Sequence, residues 1–438
     1  MAVYEDREAF IPYSRRDLIE LCIEDGQLAP ADVQKFRDFC EILSAYYHFD
    51  FHKSLEVLKE NFAPFNPDAD TKLRIEPTPA EQSEMANKLV TAFKTTLERA
   101  NYMPLSQEFL EQTFEEESLI ELKTQVDFDD FEQILCFYRG DSYKTISVKK
   151  FFFKTVEQTL DIFERVVLLL KFKDAAYFVK RGVKLEELNF MPGKMYVYLY
   201  KDIPKLDLEL LFPNIELSMT LKDRLLFGLP AIGAGISVMI KALPQLIIII
   251  GVILFLTAGP SALENINANE DEVRDVMPVL VTLLSLVITL GGFAFKQYTS
   301  YKNKRIQFQK KVTDTLFFQN LDNNAGVFHA LIDAAEEEEC KEIILVYYHL
   351  LTNNGCWTPS KLDDKIEVWM EEKFGTKIDF DINGPLGNLE SIRGQIAKDR
   401  QNGQEAPLLT YDSQGCCRVL PLKEAKSVID DIWDNAFC

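Results

Sequence analysis

Residues 276–295 read VMPVLVTLLSLVITLGGFAF, twenty positions without a charge. At 1.5 Å per residue a helix of that length spans about 30 Å, the thickness of a bilayer's hydrocarbon core. Upstream, residues 242–258 (ALPQLIIIIGVILFLTA) make a second apolar run, with Pro244 in its first turn, where a missing N–H does no harm. Residues 225–240 (LLFGLPAIGAGISVMI) precede it, broken by Gly228, Pro230, Gly233 and Gly235 and stopped by Lys241. Between the two longer runs lie Glu264, Glu270, Asp271, Glu272 and Asp275 against a single Arg274. The outer flanks carry Lys222, Arg224, Lys241, Lys296, Lys302, Lys304, Arg305, Lys310 and Lys311. Positive charge stays on the cytoplasmic side of a membrane. The expectation is therefore a two-span hairpin over 242–295, with 221–241 as an interfacial or re-entrant helix and both termini cytoplasmic. Lys241, Lys296, Lys302, Lys304 and Arg305 would be its anchors at the lipid headgroups.

The whole chain is less apolar than that stretch. Its 438 residues are 47% hydrophobic and 27% charged, with 48 Lys+Arg against 69 Asp+Glu, a net charge of −21. Mean hydropathy is −0.08. Such acidity repels nucleic acid, so no nucleic-acid partner is expected. Eight cysteines without a CxxC pair are no disulfide framework, and free thiols are expected. The opening MAVYEDREAFIPYSRRD has neither the charged start and apolar core of a secretory signal nor the acid-poor pattern of a transit peptide.

Outward from the apolar centre, residues 1–220 read as one cytoplasmic α+β domain. Ser14 suits the N-cap of a helix ending near Gly26. A longer helix follows Pro30 and runs to Phe62, another opens at Pro79, and a short one starts at Ser106. After Asp127 the texture changes to FEQILCFYRG, KTISVKKFFF, RVVLLLKFK and KMYVYLYKD, the β-branched and aromatic runs of a small antiparallel sheet. Residues 296–438 read as a second cytoplasmic domain, mostly helical. Its three helices, the hairpin PLLTY-DSQG-CCRVLP and a closing helix follow the order of a winged-helix unit. GNLESIRGQIAKDR is not a basic reading helix, so that shape would serve protein contact. The fold class expected is an α+β membrane protein.

Few residues point to chemistry. His48, His52 and Glu56 fall one turn apart on a helix, as a divalent-metal ligand set would require. A helix–helix contact explains the same spacing, and no HExxH motif is present. His329 and Asp333 are again four apart, with Asp322 near the helix start. The four glutamates 336–339 point around a helix rather than converging, which reads as a solvated face. Cys416 and Cys417 are adjacent on a strand and face opposite ways. Nucleophile elbows and phosphate loops are absent, and no cofactor is expected.

The strings YEDREAFIPYSRRDLIEL, KDIPKLDLELLFPN, LDNNAGVFHALIDAAEEEECKE and IDDIWDNAF, with the hairpin between them, resemble the domain-of-unknown-function 3754 family, the transmembrane protein 143-like proteins. In detail the chain looks most like a cyanobacterial member, which would place it in the plasma or thylakoid membrane. The resemblance implies two spans with soluble flanks and brings no catalytic residues. The function expected is a non-enzymatic, membrane-anchored adaptor or scaffold whose partners are the lipid bilayer and another protein. The alternative is a channel or transporter subunit in a homo-oligomer with Lys241 on its path, and a lesser one a metal-dependent enzyme at His48, His52 and Glu56.

Overall fold

The computed structural model describes residues 7, 10–68, 73–115, 123–150, 154–218, 320–353, 355–396 and 405–435, with scattered helical positions between 292 and 319. Two compact units divide the chain. One takes residues 1–111, 128–208 and 318–438, and the other takes 112–127 and 209–317.

The first unit begins with local chemistry. The Ser14 hydroxyl accepts the Asp17 N–H at 3.2 Å and starts α1 (Arg15–Glu24), and Gly26, at φ +75°, turns the chain away from its end. In α2 (Val33–Phe62), Phe36, Phe39, Cys40, Leu43, Tyr47, Phe51, Leu55, Leu58 and Phe62 form a buried stripe at three- and four-residue spacing. A capping box of Thr78 and Glu81, followed by Pro79 in the first turn, opens α3 (Pro79–Arg99).

An antiparallel sheet follows, built from β1 (Met103–Leu105), β3 (Phe131–Lys150), β4 (Lys154–Phe172), β5 (Met195–Pro204) and β7 (Asn320–Asn323), in the order β1-β3-β4-β5-β7. The centre of β4 is a run of buried residues, Val166, Val167, Leu168, Leu169 and Leu170, as expected of a strand covered on both faces. Strand β7 is far away in sequence, yet Tyr198 pairs with Asn323 and Tyr200 with Asn320. The Lys201 N–H adds a bond to the Gln319 carbonyl at 2.8 Å. The short helices α4 (Gln107–Glu115) and α5 (Ala175–Lys180) connect these strands. In the second unit β2 (Lys123–Gln125) pairs antiparallel with β6 (Glu216–Ser218), and Phe114 meets Phe212 edge-on at 5.5 Å.

Helix α6 (Ala325–Thr352) is the axis of the first unit. Every residue from 338 to 349 is buried, so this helix is enclosed on all sides. Helices α1, α2 and α3 pack on it from the N-terminal part of the chain. From the C-terminal part come α7 (Pro359–Phe374) and α8 (Asn383–Ser391). Phe39 stacks on Tyr347 at 4.1 Å, Phe328 takes Phe62 edge-on at 5.1 Å, and His349 meets Trp369 edge-on at 5.1 Å. The chain closes with the ribbons β8 (Arg393–Gln395)–β9 (Glu405–Pro407) and β10 (Leu409–Tyr411)–β11 (Cys417–Val419), then α9 (Leu422–Asn435) packed on α2 and β8.

Three expectations are corrected. Among the described residues no helix is long and apolar enough to cross a membrane, which overturns the membrane fold class and the integral-membrane location. The longest described helices, α2 and α6, spend their apolar faces on each other and on their neighbours and keep charges along their length. The segments behind the expectation, 221–241, 242–258 and most of 276–295, lie outside the described residues. Residues 296–438 do not form a separate winged-helix-like domain, because α6 is as much the core of the N-terminal helices as of its own successors. Finally, Cys356 and Cys416 form a disulfide, where only free thiols were expected.

Leu169, fully buried in the central strand, is packed too tightly to relax after truncation. Leu169→Ala is expected to lower the unfolding free energy by about 2–5 kcal/mol in chemical denaturation. His349 offers a pH test. Burial, with Lys365 nearby, pushes its imidazole down to about 4, and Asp25 opposes only in part. The unfolded chain thus binds a proton below about pH 6.5 that the folded protein refuses. Stability is retained above that pH and falls as pH drops toward 4, by up to about 3 kcal/mol. His349→Gln is expected to flatten this acid limb, read as the unfolding midpoint at pH 7 and at pH 4.5.

Candidate functional site

The candidate site is a belt of charge around the middle of α6, residues 336–342. Glu336 accepts His48 Nδ1 at 2.9 Å and the Arg15 guanidinium at 3.4 Å. One residue on, Glu337 takes the backbone N–H of Arg15 at 2.5 Å, at the start of α1, where a carboxylate also suits the helix dipole. Glu338 takes the Ile11 N–H at 2.6 Å and the Lys341 ammonium at 2.8 Å. Lys341 in turn donates to the Ile11 carbonyl at 2.5 Å. Both backbone groups of Ile11 are thus held by one ion pair on α6. Glu339 receives Arg99 at 2.6 and 2.7 Å and the Asn388 amide. Arg99 also reaches Asp50 at 3.2 Å and lies 3.8 Å over the Phe51 ring. A turn further along, Glu342 accepts from Asn101 Nδ2 at 2.7 Å.

The expected solvated face is therefore corrected. The four glutamates do point around the helix, but each direction meets another element, and Glu338 and Glu339 are only 2% and 5% exposed. A buried carboxylate is tolerated when its lone pairs find donors, and these donors come from residues 11–101, 341 and 388. Burial raises the Glu339 carboxyl, with Arg99 opposing. At Glu342 burial dominates and pushes the carboxyl well above its usual range, Asn101 opposing and Glu338 and Glu339 adding to it.

Residues 10–14 cover part of this belt. With Arg139, Asp333, Glu337, Glu338 and Lys341 they line a cleft of about 350 Å³. The Arg139 guanidinium is held between the Phe10 and Tyr102 rings at 5.1 and 5.0 Å and donates to the Ala100 carbonyl at 3.3 Å. The polar groups lining the cleft are largely engaged in fastening the N-terminal segment.

The residues singled out in the sequence do not gather into a metal centre. His48 is turned to Glu336, His52 is exposed, and Glu56 holds Lys59 at 2.9 Å on the outer face of α2. Among the described residues no group of three His, Cys, Asp or Glu could hold a metal ion. Asp322 lies over the first turn of α6, where its carboxylate accepts the Asn323 N–H at 2.8 Å. Asp333 is exposed at the cleft. Of the five basic anchors, Lys296, Lys302 and Arg305 are exposed, while Lys241 and Lys304 lie outside the described residues. Sequence reasoning missed Arg15, Arg99, Asn101, Lys341, Glu342 and Asn388. The available signal was EEEECKE itself, a charged block with apolar helix on either side.

Glu342→Gln keeps the carbonyl oxygen that Asn101 needs and removes the charge. A carboxyl raised on folding is protonated more readily in the folded state, so its contribution is full below about pH 4.5 and is lost as pH rises. The variant is expected to be more stable than the parent by roughly 1 kcal/mol at pH 8 and no more stable at pH 4, compared by urea denaturation at the two pH values.

No solved structure matches the chain. Residues 163–326 match the model of a family described as Protein of unknown function (DUF3754). The matched segment starts in β4, includes β5 and β7 and ends in the first turn of α6.

Proposed function

We propose that the protein is a non-enzymatic adaptor, in which the first unit is a fixed body that carries residues 209–317 for a protein partner. The observation behind this reading is the pairing of β5 with β7. The chain leaves the body after residue 208 and returns at residue 318, and the strands next to both points are bonded to one another. A body closed in this way holds the two ends of its insertion together whatever the insertion does. The charged belt supports the same reading, since its donors and acceptors are engaged in holding the body itself. The family match fits too, since it covers the insertion and the strands that mount it.

The test is excision. Residues 209–317 are replaced by a flexible Gly/Ser linker of about six residues, long enough to join two neighbouring strands. The body is expected to keep a cooperative transition within roughly 3 °C of the parent. The proteins that co-fractionate with the full chain from its native source are expected to be lost. Co-fractionation that survives excision would place the partner on the body and overturn the proposal. So would a body that no longer folds.

A further inference from the structure

The Cys356–Cys416 pair stands apart from the other cysteines. Cys356 is exposed, in the loop between α6 and α7, while Cys416 is fully buried where β10 turns into β11. Their Cα atoms are 5.1 Å apart, and 60 residues separate them in sequence. Cys22, Cys40, Cys136, Cys340 and Cys417 are free and buried. Cys22, Cys40 and Cys340 are near enough to influence one another's ionisation, yet stay unbonded. Five free thiols among the described residues, with Cys22 and Cys340 near Cys40, fit a chain that lives in a reducing compartment. Disulfides there are transient and serve redox chemistry.

We propose that Cys356–Cys416 is a reversible thiol–disulfide switch, reduced and reoxidised by exchange with a dithiol protein. Access sets the direction of attack, because Cys356 is an exposed residue and Cys416 is fully buried. A thiolate of the reductant attacks Cys356 Sγ, the Cys356–Cys416 bond breaks, and Cys416 leaves as a thiolate and takes a proton. The second thiol of the reductant attacks the mixed disulfide and releases Cys356. The pair gains two electrons and two protons, and the reductant ends as its own disulfide. Oxidation runs through the same steps in reverse. Among the described residues the free cysteines take no part: burial withholds them, and it also raises their thiols, Cys136 and Cys340 to about 12.

Reduction acts on the β10–β11 turn. In the oxidised form the turn is held to the α6–α7 loop by the disulfide and by the Cys417 N–H, which donates to the Trp357 carbonyl at 2.8 Å. Trp357 follows Cys356 directly and packs against the core, so its indole reports the change. Once the disulfide opens, the covalent tie between the turn and the α6–α7 loop is lost and the Cys417–Trp357 hydrogen bond remains.

The experiment uses the full chain. Protein isolated with thiols blocked is exposed to dithiothreitol or reduced thioredoxin without denaturant, quenched in acid, alkylated in denaturant and mapped by mass spectrometry. The expected result is a Cys356–Cys416 linked peptide that converts to two alkylated cysteines within minutes and returns on addition of oxidised dithiothreitol. Tryptophan emission should follow the conversion in the parent and stay constant in Cys356→Ser, a change at an exposed position. The thermal midpoint is expected to fall by roughly 5–10 °C on reduction. Absence of the linked peptide would overturn the proposal. A bond that yields to the reductant only in denaturant would also overturn it, because the disulfide would then be purely structural.

Discussion

Everything in the first unit depends on burying a helix that carries charge in its middle. Helix α6 is enclosed from residue 338 to residue 349, and a helix in that position is normally apolar all round. Removing carboxylates and an ammonium from water costs several kcal/mol each, and only close, well-directed partners offset it. The fold supplies them from α1, α2, α3, α8 and the segment before α1. Few other arrangements of these helices would satisfy Glu338, Glu339 and Lys341 at once, so the belt selects the packing as much as it stabilises it.

The division of labour along α6 follows from this. Its later half is an ordinary aromatic and aliphatic core, with Tyr347 and Tyr348 fixed by hydroxyl bonds to the Leu420 carbonyl and to Asp25, each at 2.7 Å. Its middle is a polar lock. At the start of the helix Asn324 has a positive φ of +49° with ψ −126°, and its own N–H reaches the Val197 carbonyl at 2.6 Å. Its side-chain oxygen takes the Val197 N–H at 3.2 Å. One residue thus continues the sheet and begins the helix.

Local signals in the sequence proved legible where the cause was local. Ser14 and Pro79 announce helix starts because capping and the first helical turn need only a few neighbouring residues, and the aromatic runs after Asp127 announce strands for the same reason. The role of residues 336–339 was not legible. A charge on a helix looks solvated unless its partners are known, and Arg99 and Ile11 are remote in the chain. The apolar stretches 242–258 and 276–295 illustrate the same limit, since hydropathy is a property of a segment, and a spanning helix is one of its possible uses. The cysteines followed the pattern too: the 60 residues between Cys356 and Cys416 close only through α7, α8 and the ribbons.

The order in which the chain is made adds a consequence. A ribosome adds about 5–20 residues per second, so Arg15, Arg99 and Asn101 leave the exit tunnel roughly ten seconds to a minute before the glutamates of α6. During that interval α1, α2 and α3 expose the apolar stripe meant for α6, with no partner yet synthesised. Strand β7 is later still than β5, and the sheet stays open at that edge until the insertion is complete. Contacts this distant make folding slow, and a nascent chain in that state is a natural client for a chaperone that shields apolar helix faces.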